Sequence, residues 1–184
     1  MITAKKNNYF ILDEESNALD YLVQSSLFLN QAVENRTYWK WFVIAFHGAI
    51  HSYMLLVLHK IDPEQIYRDK KVKAHSPDRK LLDFLSTYEL LKKPENMKGN
   101  PFSGSRDHDT RMIILNNEIR NLFMHFRPMV WAAEPWYFVS ACKTLLDVLK
   151  FCAKNSQFRH TQIANVLSYI DCISITLYKI KEKA

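Results

Sequence analysis

At 184 residues, with 48% hydrophobic and 13% aromatic side chains, the chain can bury a full core, which excludes a disordered tail. Three glycines and six prolines are few for a turn-rich β architecture and suit long helices instead. The formal net charge of +6 favours anionic partners, although many small soluble proteins carry such a charge and bind nothing acidic. Cys142, Cys152 and Cys172 fall in apolar helical patterns with no Cys-x-x-Cys pair, and read as buried free thiols in a reducing cytosol.

Residues 1 to 14 hold an apolar patch, Tyr9 to Leu12, and then acidic residues, an arm or first turn. No basic region followed by an apolar run marks a secretory signal. Leu19, Leu22, Val23, Leu29 and Val33 predict a helix from about Glu14 to Glu34, with Asp13, Glu14 and Glu15 as its solvated start rather than a catalytic acid pair. Thr37 is the expected N-cap of a second helix, about Tyr38 to His59. That helix is apolar nearly all round. Trp41 to Leu58 is long enough for a membrane span, but His47, Gly48, His51 and Ser52 point to a central buried helix and no membrane insertion.

Asp62-Pro63 ends it, and Ile61 to His75 is basic and irregular. Ser76-Pro77 reads as a helix start, with Leu81, Phe84, Leu85, Tyr88 and Leu91 as core face. Lys92 to Asp107 reads as a long loop, of a length that is usually functional or mobile. A further helix starts near Asp109, and Phe126 to Trp136 is a turn rich in aromatics and proline. Pro135 opens the next helix, with Phe138, Cys142, Leu145, Leu149 and Cys152 inward, until Asn155-Ser156. Ile163, Val166, Leu167, Ile170, Ile173, Leu177 and Ile180 mark a terminal helix. Trp39, Trp41, Trp131 and Trp136 read as core and staple residues. The prediction is one all-α domain over residues 1–184, a helical bundle of about five to six helices.

The stretch Leu115-Asn116-Asn117-Glu118-Ile119-Arg120-Asn121-Leu122-Phe123-Met124-His125-Phe126-Arg127-Pro128 carries the chemistry. Leu115, Ile119, Leu122 and Phe126 form one apolar stripe. Arg120 and His125 lie off it, roughly 140° apart on an ideal helix. Pro128 ends the helix. Arg120-Asn121 followed by His125 resembles the signature of the HEPN family (higher eukaryotes and prokaryotes nucleotide-binding): Arg, then usually a polar residue, then His four to six residues after the Arg. Arg68 and His75 have a similar spacing in a stretch that does not read as a good helix.

The resemblance implies a helical bundle, often dimeric, which in many members is a metal-independent ribonuclease without a cofactor. The chemistry suits the residue types. Histidine can take the proton of a 2′-hydroxyl near neutral pH, and the arginine fork can hold two phosphate oxygens. The resemblance carries these roles onto His125 and Arg120, places Asn121 as an orienting group, and implies a cyclic-phosphate product. Some family toxins carry a Tyr two residues after the His; here Arg127 stands there, which removes that route of control and offers a phosphate contact.

Arg68, Lys70, Lys71 and Lys73 are candidate RNA contacts, with a plain solvated loop as the alternative. His47 and His51 have metal-ligand spacing but no Glu and no third ligand, so a polar seam on the central helix is the better reading, with no metal. If that seam faces the motif helix, it supports the site. Because Arg120 and His125 project from different flanks, an antiparallel second copy is expected to complete the site. The leading expectation is a cytoplasmic HEPN-type endoribonuclease, a toxin or defence effector with an antitoxin or effector partner. A non-catalytic HEPN-like bundle binding RNA or protein stands beside it, and a helical adaptor without nucleic acid comes third.

Overall fold

The computed structural model describes residues 12–69, 76, 78–125, 128, 130–159 and 161–183. Helix α1, Glu14–Ala32, starts at a capping box: Asp13 accepts from the Ser16 N–H at 2.7 Å, and Ser16 Oγ accepts from the Asp13 N–H at 2.9 Å. A short turn leads into α2, Tyr38–Ile61. Thr37 occupies the cap position, but its side chain makes no capping bond; its hydroxyl donates instead to Asn35 Oδ1 at 2.8 Å.

α2 is the centre of the bundle. Phe42, Phe46, Ala49, Ile50, Met54, Val57 and Leu58 are fully buried, and both α1 and later helices of the chain pack on this helix. Its apolar length would suit a membrane span, but most of it is covered by protein. The contact with α1 is close at Gly48, where a Cβ would stand 2.6 Å from the Tyr21 ring.

A 3₁₀ turn, Pro63–Ile66, follows α2. Helix α3, Phe84–Leu91, is capped by Asp83, which accepts from the Ser86 N–H at 2.9 Å. The expected start at Ser76-Pro77 is therefore too early. Leu81 pairs with Tyr67 in an isolated antiparallel bridge, and the Leu82 N–H donates to the Ile66 carbonyl. Those bonds hold the backbone extended up to Asp83, and leave Leu81 46% exposed rather than in the core. The expected loop from Lys92 to Asp107 ends at Ser105; it is a series of turns and extended backbone pinned down by buried Met97 and Phe102, with Lys98 and Gly99 at positive φ.

Helix α4, Arg106–Ile113, starts three residues before the expected Asp109, because Ser105 and His108 form a reciprocal cap. It runs on through a π-helical segment, Ile114–Arg120, into α5, Asn121–Met124. Helix α6, Pro135–Lys143, is separated by one turn from α7, Leu146–Asn155. Helix α8, Ile163–Lys183, closes the bundle with Val166, Ile170, Ile173 and Leu177 inward. Taking α4 to α5 as one rod and α6 to α7 as another, the described residues form an all-α bundle of six rods.

Two further side chains depart from expectation. Cys142 and Cys152 are buried, and burial pushes both thiols up, but Cys172 is exposed on α8. Glu15 is buried, not solvated: it accepts from the Arg159 N–H at 2.8 Å and the Thr161 N–H at 2.7 Å. It thereby ties the start of α1 to the segment that leads into α8. Glu15→Ala leaves two N–H groups unsatisfied and should lower stability by about 3 kcal/mol. Glu14→Ala removes only an exposed pair with Arg159 and should cost under ~1 kcal/mol. Urea unfolding of the two variants beside wild type measures the contrast.

Candidate functional site

Leu115 and Ile119 anchor the motif rod in the core, as the stripe predicts; Leu122 is half-buried, and Phe126 lies outside the described residues. The π turn is marked by the Asn121 N–H, which donates to the carbonyl of Asn116, five residues back. A π turn holds more residues than an α turn, so ideal-helix angles do not carry through it. His125 departs further: it is the cap residue after α5, with extended backbone at φ −114 and ψ 132, and its side chain is exposed. The 140° separation expected of a continuous helix therefore does not apply.

Asn121 joins the two other motif residues. Its Oδ1 accepts from Arg120 Nη1 at 2.8 Å, and its carbonyl accepts from the His125 N–H at 3.1 Å. Among the described residues no carboxylate pairs with Arg120, which is half-buried. Its guanidinium is thus oriented by an amide and keeps its charge available to an anion.

The polar seam of α2 does face the rod. His47 is 8% exposed, and its Nε2–H donates to Asn116 Oδ1 at 2.9 Å. Phe84 of α3 stacks on the His47 ring, with centroids 4.0 Å apart. One turn on, His51 Nε2–H donates to the Leu82 carbonyl at 3.1 Å. Burial lowers the pKa of His47 to about 4; the Asn116 bond opposes that shift, and the Arg120 and His51 charges add to it. His51 is lowered as well, chiefly by burial. Both Nε2 atoms are committed to protein acceptors, and among the described residues no three His, Cys, Asp or Glu side chains cluster as metal ligands.

Asn116 and Phe84 were not picked out from the sequence as part of this seam. The only signal was the spacing of the two histidines on an otherwise apolar helix. Arg68, a predicted RNA contact, is exposed and pairs with Asp83 at 2.6 Å, so part of its charge is already engaged. Lys70, Lys71, Lys73, His75 and Arg127 lie outside the described residues.

Compared with known proteins, the chain matches no family model, no curated protein and no solved structure.

The seam makes stability depend on pH. The folded chain keeps His47 neutral down to about pH 4, whereas the unfolded chain protonates it below about 6.5. Its contribution is fully present above pH 6.5, falls as the pH drops towards 4, and then levels off. Between pH 7 and pH 5 the loss should be about 2 kcal/mol, with His51 acting in the same direction. Urea midpoints at the two pH values measure it, and His47→Gln should flatten the profile.

Proposed function

We propose that the chain is a metal-independent endoribonuclease of the HEPN type. The observation that carries this reading is Asn121, whose side chain orients Arg120 while its carbonyl holds the backbone of His125. The three motif residues thus form one connected group at the exposed end of a rod whose other face is fixed in the core.

In this reading Arg120 grips the non-bridging oxygens of the scissile phosphate. His125 takes the proton of the 2′-hydroxyl, whose oxygen attacks phosphorus; the bond to the 5′-oxygen breaks, that oxygen takes up the proton, and a 2′,3′-cyclic phosphate and a free 5′-hydroxyl remain. Arg120 suits the charge on the phosphorane because, among the described residues, no carboxylate pairs with it. The family resemblance, and not the geometry of a single chain, extends the reading to two copies, with Arg120 of one and His125 of the other meeting across a two-fold axis. A toxin or defence effector in the cytoplasm, held in check by an antitoxin or effector partner, is the setting that suits such an activity. A bundle that only binds RNA is the second reading, supported by the same Arg120, which among the described residues meets an amide and no carboxylate.

Purified protein should cleave mixed RNA equally with and without EDTA. Arg120→Ala and His125→Ala should each lower the rate by at least ~100-fold with little loss of stability, since neither side chain belongs to the apolar core. Mixing the two variants and letting subunits exchange should restore part of the activity. Mixed dimers as inactive as their parents, or a monomer at micromolar concentration, would refute the shared site. Binding without cleavage would leave the second reading standing.

A further inference from the structure

Beside the motif, the start of α2 and residues 131–138 enclose a cleft of about 290 Å³. Its walls are aromatic: Trp39, Phe123, Trp131 and Phe138. Its rim carries two cations, Arg36 and Lys40, and among the described residues no carboxylate lines it. Among the described residues neither cation pairs with a carboxylate, and the first turn of α2 contains no acidic residue. Helix starts ordinarily gather Asp and Glu against their positive end. Two cations there instead make a local field that favours an anion.

The apolar wall is built for a flat ring. Trp131 is 38% exposed, and its plane is held by edge contacts with Phe123 at 5.8 Å, Phe138 at 5.9 Å and Tyr137 at 6.3 Å. A ring already fixed in this way loses little freedom when another ring stacks on it. Ala132 and Ala133 keep the cleft open beside it. The nearest acidic side chain in sequence, Glu134, accepts from Trp136 Nε1. Phe123 belongs both to this wall and to the motif rod, only two residues before His125, so at most ~7 Å of chain separates them.

We infer that this cleft is a nucleotide subsite: it takes one base of a single-stranded RNA against Trp131, with the adjoining phosphate at Arg36 and Lys40. The inference rests on the RNA reading above and adds the place where the nucleotide next to the reacting phosphate is held. Aromatic platforms beside cations bind single strands with little sequence preference, because every base offers a π face. The volume is of the size of one base with its sugar.

The test measures binding of a fluorescein-labelled ten-residue oligoribonucleotide by full-length protein, in a His125→Ala background so that no cleavage intervenes. Trp131→Ala should weaken binding by about tenfold. An abasic residue in the strand should weaken binding to the parent but not add to the Trp131→Ala loss. The double substitution Arg36→Ala with Lys40→Ala should weaken binding and make the salt slope shallower by about 1 to 2. Both side chains of that pair are exposed, so it stays informative if Trp131→Ala fails to fold.

Variants that bind as tightly as the parent with the same salt slope overturn the subsite while leaving the nuclease reading intact. Binding through the cleft by a wild type that cleaves nothing supports the subsite and overturns the nuclease reading. A parent that binds no RNA overturns both.

Discussion

His47 sits on a helix that is otherwise apolar nearly all round, and a buried imidazole there must find a partner or weaken the fold. The partner is Asn116, 69 residues away, and that bond constrains the motif rod about its own axis. Leu115 and Ile119 push the same rod into the core, but apolar contacts tolerate small rotations that a 2.9 Å hydrogen bond does not. Arg120 lies one turn beyond Asn116, and Asn121 closes the π turn onto the Asn116 carbonyl. The orientation of the arginine thus depends on a neutral histidine in the middle of α2. His51 performs a similar task for the approach to α3 through the Leu82 carbonyl.

Part of the positive charge of the sequence is engaged within the fold. Arg68, Arg79, Lys92, Arg111, Lys150 and Arg159 each meet a carboxylate within 4.0 Å. Most of those pairs are solvated at one partner at least and add little stability; they fasten turns and helix ends. Arg36, Lys40 and Arg120 are among the cations without such a partner. The first two stand at the start of α2 and line the same cleft as Phe123, and the third lies in the motif rod three residues before Phe123. Arg36 and Lys40 therefore leave positive charge on the cleft that holds Phe123, while Lys80, Lys93, Lys98, Arg106 and Lys154 stand exposed elsewhere in the chain.

The fold class was legible because helical periodicity is a local property, and the core positions of α2, α6, α7 and α8 obey it. The start of α3 was not, because the bridge between Tyr67 and Leu81 is a non-local pairing that overrides the Ser76-Pro77 signal. Glu15 looks like any acidic residue in a first turn until the backbone of Arg159 and Thr161, more than 140 residues later, arrives to donate to it. Cys172 shares the apolar pattern of its helix, yet α8 has one covered face, and the pattern does not say which residues border it. At the site, the identity of Arg120, Asn121 and His125 was legible, but their geometry was not. A π segment has no sequence code of comparable strength, and it alters the angles on which any helical wheel depends.

That segment also sets how the rod responds to a change in chain length. A π turn holds about one residue more than an α turn. Within Ile114–Arg120 the surplus of the wide turn is what is at stake. Deleting a single codon there would draw the segment into an ordinary α-helix and leave the residues after it facing nearly as before. The same deletion in an α-helical stretch turns everything after it by roughly 100°. The wide turn is therefore a store for one residue, and the end of the rod keeps its bearing through a loss that would turn it anywhere else along its length.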